Sequence, residues 1–227
     1  KTRQQIFTSM ILTILATIIF FSFYRTFNLF GLVGIVLSSW IISNVLVTLF
    51  VGMKKESDEK TLSPVNFFKH FNSMIISHLG VGLLILGITG SSTWQEENIT
   101  RMKVNDETII KNYNIVFKEI NKLEGPNYYA LEGSFWVYNQ KNKIITVLKP
   151  ENRIYPVTNN TSSEVSIHTN LLRDLYIVLG EGDINEGWVV RIYYNPLVAW
   201  IWIGVLIIVI GGLLALKSNL TILRRSN

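Results

Sequence analysis

The sequence predicts a membrane α-helical protein of about four transmembrane helices, with an outer-side β-rich domain inserted before the last of them. Three observations carry this reading. Four runs of about twenty residues are almost wholly apolar, long enough for a helix rising 1.5 Å per residue to cross a bilayer. Hydrophobic residues make up 48% of the 227 residues and mean hydropathy is +0.31, too apolar for an ordinary soluble domain. Between the third and fourth runs, residues 91–195 change character and alternate apolar with polar side chains at the period of a strand.

Residues 1–90 hold three of the spans. The first is Ile6–Tyr24, followed by a short turn, Arg25–Asn28. The second is Leu29–Met53, with Trp40 near its middle. A tryptophan that far from either interface is read as packing against protein. Lys54–Lys69 is a polar connector with mixed charges and Pro64, and Phe71–Gly90 is the third span. Residues 196–227 provide the fourth span, Leu197–Leu216, and a basic tail ending in Arg224 and Arg225.

Lys and Arg orient these spans, because basic residues concentrate in cytoplasmic or matrix loops. Lys1, Arg3, Lys54, Lys55, Lys60, Lys69, Lys217, Arg224 and Arg225 share one side, and the short opposite loop carries only Arg25. Residues 91–195 are therefore expected outside. Trp94, Trp200 and Trp202 fall at that outer boundary as an aromatic belt.

The outer segment is too long for a bare loop. Tyr129, Leu131, Phe135 and Val137 alternate with Glu132 and Ser134, and Trp188, Val190, Ile192 and Tyr194 alternate around Arg191. Thr108–Ile120 and Lys143–Leu148 are β-branched runs, while Gly125–Asn127, Asn139–Asn142 and Gly180–Gly187 supply turns. A small sandwich or barrel with one buried face follows. Glu132, Glu151, Asp174, Glu181 and Asp183 show no paired spacing for acid–base work. His168 reads as a surface or edge-strand histidine, His70 as an anchor at the inner membrane edge, and Glu151 with Arg153 as a local ion pair.

The chain contains no cysteine, which excludes disulfides, thiolate metal sites and a C-x-x-C-H haem attachment site within it. The net charge of +5 is spread over loops without a basic stripe, so nucleic acid is not an expected partner. The chain opens on Lys1 with no legible signal sequence, and is read as part of something longer, either cut from a full-length protein or the product of a split gene.

One residue in the spans stands apart. His78 sits within FNSMIISHLGVGLLILGITG with no charge beside it, and an imidazole at that depth needs a partner or a ligand. It lies about seven residues past the inner end, roughly 10 Å deep. Gly82, one turn on, shares its helical face. Two readings follow: an upright imidazole beside a bare patch that accommodates a flat cofactor, or a histidine bonded to a neighbouring helix with glycines for close packing.

The succession HLGVGLLILGITGSS, GPNYYALEGSFWVY, LKPENRIYP, RDLYIVLGEG and WVVRIYYNPLVAWIWIG resembles the C-terminal third of the CcmF family, from about Phe71 to Leu216. That family is the haem lyase subunit of cytochrome c maturation in bacteria and plant mitochondria. The resemblance implies a multi-pass protein of the bacterial or mitochondrial inner membrane that takes haem from the haem chaperone CcmE. It also implies covalent joining of this transiently handled haem to apocytochrome c, with CcmH-type subunits, and a buried non-covalent haem b. His78 matches the family's H-x-G axial ligand of that haem b, and the resemblance places Gly82 beside the macrocycle. The other haem-handling residues of the family are expected in the N-terminal part of the same protein, so this piece should not catalyse attachment alone. The alternative is a non-enzymatic membrane scaffold that recruits maturation partners through its outer β domain.

Overall fold

A computed structural model describes residues 2–23, 27–58 and 73–226. The chain divides into two compact units, Lys1–Thr93 with Leu197–Asn227, and Trp94–Pro196.

The first unit is helical: α1 Thr2–Phe23, α2 Leu29–Asp58, α3 Ser73–Thr93 and α4 Val198–Ser226. Each contains a stretch long and apolar enough to cross a membrane, ending at Gly52 in α2 and at Lys217 in α4. Both of these helices continue beyond the apolar stretch that the sequence marks, α2 past Met53 and α4 past Leu216 through the basic tail. Apolarity delimits the span, whereas Lys, Glu, Leu and Arg sustain helix on either side of that limit. The rest of the connector from Glu59, together with Arg25 and His70, lies outside the described residues.

Asn28 starts α2 as its N-cap, its Oδ1 accepting from the backbone N–H of Phe30 at 2.9 Å and of Gly31 at 3.2 Å. Several polar side chains inside the spans bond along their own helix. Thr13 and Thr17 donate to the carbonyls of Ser9 and Thr13, and Thr48 to that of Asn44, each at 2.8 Å.

Glycine sets how closely α3 approaches α4. Gly80 and Gly87 on α3, and Gly204 on α4, meet backbone of the opposite helix: a Cβ on Gly80 would stand 2.7 Å from the Gly204 carbonyl oxygen, and one on Gly204 2.6 Å from Leu84 N. Only hydrogen fits there, as in the small-residue seams of membrane helices. A different face of α3 meets α2, where Ile75 is buried with Val45 and Leu49.

The second unit is a β-sandwich of ten strands: β1 Glu96–Met102, β2 Glu107–Ile110, β3 Tyr113–Glu124, β4 Tyr129–Asn139, β5 Ile144–Leu148, β6 Glu151–Tyr155, β7 Asn160–Glu164, β8 Ser166–Thr169, β9 Arg173–Asp183 and β10 Gly187–Pro196. One antiparallel sheet runs β1-β10-β9-β8. The other runs β2-β3-β4-β6-β7, with β5 also pairing β4. Phe117 and Phe135 stack at 4.5 Å in the core, and Trp188 meets Phe117 edge-on at 5.8 Å. Ile115, Val137, Leu175, Ile177, Val190 and Ile192 complete it with no exposure, so each sheet has one dry face.

The expected alternation of β10 is present: Trp188, Val190 and Ile192 are buried and Arg191 is exposed. In β4 it holds for Phe135 and Val137 only, while Tyr129 is exposed and Ala130 and Ser134 are buried. The strand changes partner along its length, from β6 at Tyr129–Glu132 to β5 at Phe135–Tyr138, and β3 slips register opposite it between Phe117 and Glu119. Thr108–Ile120 is not one strand but a hairpin, turning at Lys111 with φ 51°. Gly180–Asp183 belong to β9, which leaves a tighter turn before Gly187 than the sequence suggests.

Candidate functional site

His78 lies in the second turn of α3, on the face turned towards α2. Its Nδ1 stands 2.8 Å from the carbonyl oxygen of Met74, one turn back. A carbonyl only accepts, so Nδ1 carries the proton and donates it. The lone pair is thereby left on Nε2, which bonds to none of the described residues. This bond fixes both ring orientation and tautomer, as in histidines that ligate metals through the other nitrogen.

The ring lines an open groove of about 260 Å³ between α2 and α3, with Trp40, Asn44, Thr48, Met74 and Ile75 among its walls. The polar walls are already occupied on their own helix: Asn44 Nδ2 donates to the Trp40 carbonyl at 2.7 Å, and Thr48 to that of Asn44. Among the side-chain nitrogens lining the groove, His78 Nε2 is the one with a lone pair free to bind a metal. The sequence places Trp40 in protein packing, and it is half-buried on the groove wall. Asn44 and Thr48 escaped notice in the sequence. Their signal was the spacing Trp40, Asn44, Thr48, one turn apart on one face of an otherwise apolar helix.

Gly82 does not lie on a bare patch. It is buried against α2, where a Cβ would stand 2.7 Å from Ile42 Cγ1 and 3.4 Å from Ile41 Cγ2. Its carbonyl accepts a 2.8 Å bond from Ser38 Oγ. The structure thus gives Gly82 the close-packing role, and it brings Trp40, Asn44 and Thr48, not Gly82, beside His78.

Several polar groups of the β-sandwich pair with one another. His168 lies on the edge strand β8, its Nδ1 2.9 Å from Arg173 Nη1. Arg173 is 1% exposed. Its Nη1 also donates to the His168 carbonyl at 2.8 Å and its Nε to Tyr113 Oη at 3.0 Å, with the guanidinium 4.5 Å above the Tyr113 ring. Glu151 and Arg153 pair at 2.8 Å, and that bond raises the guanidinium pKa further. The Asp183 carboxyl is held below the ordinary range by backbone N–H donors of Glu186 and Asn185.

Residues 93–196 match the family model for the CcmF C-terminal beta-sandwich. The chain is 38% identical over 143 residues to the cytochrome c-type biogenesis protein CcmF of Escherichia coli K12, covering 63% of this chain. It is 32% identical over 194 residues to CcmF of Pseudomonas aeruginosa, covering 85% of this chain. The chain belongs to the CcmF family. It corresponds to the C-terminal part, spanning 22% and 29% of those two relatives. A solved structure of the cytochrome c haem lyase CcmF matches 91% of this chain and 33% of its own with a TM-score of 0.67 at 16% identity, a likeness of fold. Membership of the CcmF family and four apolar helices make this a multi-pass membrane protein.

Proposed function

We propose that this chain serves cytochrome c maturation as the C-terminal part of a haem lyase, with His78 as an axial ligand of a non-covalent haem b. The observation that carries the reading is the His78 ring itself, its Nδ1–H held by Met74 and its Nε2 lone pair beside an apolar groove. Imidazole suits haem iron, and a fixed Nδ1–H raises the basicity of the ligating nitrogen. The groove, at about 260 Å³, is smaller than the roughly 300–1,000 Å³ of enclosed ligand sites. This chain therefore supplies one wall and one ligand, and the N-terminal part of the protein supplies the rest.

Bound there, the haem provides a one-electron couple that can keep a substrate haem iron reduced. The chain's own residues orient the ligand and exclude water: Trp40, Ile41 and Val45 present apolar surface, while Asn44 and Thr48 spend their donors within α2. In this reading the haem chaperone CcmE, CcmH-type subunits and apocytochrome c are the partners, met by the β-sandwich on the outer side. A scaffold without haem needs no intramembrane imidazole, so His78 separates the two readings.

The test is His78→Ala in the complete protein. Membranes should lose the low-spin b-type absorption bands and cytochrome c maturation together, and His78→Gly should regain part of both with added imidazole. A His78→Ala protein that accumulates normally with full haem b would overturn the assignment.

A further inference from the structure

We infer that one end of the β-sandwich is a lipid-contacting surface, with the β8–β9 turn dipping into the bilayer interface. The register identifies the end. Pro196, the last residue of β10, pairs with Arg173, the first of β9. A single residue, Leu197, separates Pro196 from Val198, where α4 begins, a path of at most about 7 Å. Cross-strand neighbours lie about 5 Å apart, so the turn preceding Arg173 is held near the start of a membrane-spanning helix whatever the domain's orientation. Because β9 runs antiparallel to β10, Leu171 and Leu172 project past the level of Pro196.

These leucines are 58% and 69% exposed at the turn's tip, an unusual choice where Asn, Gly and Ser would serve. The turn is held through backbone, not through the Leu172 side chain: Asn170 Oδ1 accepts from the N–H groups of Leu172 at 2.8 Å and Arg173 at 2.9 Å. Their neighbours carry the complementary charge. Gln140 Nε2 donates to Asn112 Oδ1 at 2.9 Å, which places the β4–β5 turn beside the β2–β3 turn. Lys111 of the latter pairs with Glu96, the first residue of β1. Lys141 and Lys143 of the β4–β5 turn are exposed and form no ion pair among the described residues. Apolar tips flanked by ammonium groups are the composition that seats at an interface carrying anionic phosphates. The opposite end also exposes apolar residues, Val157 and Ile184, beside charges of both signs, Arg101 paired with Glu186 and Lys103 in the turn with Asp106, so it is the chain connection at Pro196 that singles out the Leu172 end.

This chain has no cysteine, so one introduced here is its single labelling site, and the test uses the complete protein, with any cysteine outside this chain replaced by Ser, reconstituted into bilayers. Leu172→Cys is compared with Ile184→Cys, which is at the far end and 82% exposed in the native protein. The Leu172 label should lose collisions with a water-soluble nickel chelate while retaining collisions with oxygen, and the Ile184 label should retain both. In bilayers containing phosphatidylglycerol, Lys141→Glu with Lys143→Glu should restore nickel collisions at position 172, and in pure phosphatidylcholine it should change little. Equal nickel access at both positions, shielding of Leu172 from both reagents as under a protein partner, or no effect of the lysine changes in anionic bilayers would overturn the inference.

Discussion

Ser38 Oγ donates a 2.8 Å hydrogen bond to the carbonyl oxygen of Gly82, 44 residues away in sequence. The bond closes α2 onto α3 one turn from His78, and Ile42 fills the space that the glycine leaves. The groove beside His78 thus lies one helical turn from a close helix–helix contact at Gly82.

Adding a methyl at Gly82 should push these helices apart. Gly82→Ala is expected to lower stability by about 1–3 kcal/mol, as overpacking does, and Ile42→Ala in the same chain should restore part of it. Loss of the Ser38 bond alone should cost about 0.6 kcal/mol and at most ~1.7. Thermal unfolding in detergent reads all four proteins. Equal melting of Gly82→Ala and wild type would mean that α2 does not pack there.

The buried cation of the β-sandwich yields a rank order. His168→Ala removes one acceptor and should be the mildest change, leaving cytochrome c maturation intact. Arg173→Met leaves Tyr113 Oη and the His168 carbonyl unpaired, at about 1–3 kcal/mol for a buried orphan group. Arg173→Lys should be worst, because a compact ammonium cannot reproduce the guanidinium fork and remains buried. Unfolding followed by tryptophan fluorescence gives the order, and a stable Arg173→Lys protein would contradict it.

Tyr193 links the same domain to pH. A side-chain hydrogen bond to Glu97 raises its pKa above the ordinary phenol value, with partial burial adding to it. A raised folded-state pKa stabilises while the phenol is protonated. That contribution is complete below the ordinary value near 10 and is lost as pH climbs through the folded one. Glu97→Gln should move the Tyr193 phenolate transition to lower pH in an absorbance titration referenced to Tyr193→Phe. An unmoved transition would dissociate Glu97 from it.

Membrane orientation rests on the basic residues that flank the spans. With Val157→Cys and Ser57→Cys as sole cysteines, an impermeant thiol reagent added to intact cells should label the first and spare the second. The reverse pattern would invert the topology.

What could be read in sequence was whatever depends on one periodic face. The alternation of β10 is such a case, because Trp188, Val190 and Ile192 all meet one core. The β4 alternation breaks because the strand exchanges partners half-way, and no local pattern announces which strand will arrive. Asn160–Thr169 folds into β7 and β8 with hardly an apolar residue to mark it. The site divides likewise. A lone imidazole in an apolar run draws attention by itself, and helical spacing correctly puts Gly82 on its side of α3. Spacing cannot say which helix covers that side. The Ser38 and Ile42 contacts fill what one helix alone presents as open surface.

The central claim is that position 78 supplies an iron ligand. His78→Gly in the complete protein, supplemented with ¹⁵N-imidazole, puts a labelled ligand where the side chain was. Pulsed EPR of the oxidised haem should then show coupling of the iron spin to ¹⁵N, absent when the same imidazole is added to wild type. A variant that keeps its low-spin haem b with no ¹⁵N coupling would contradict the claim.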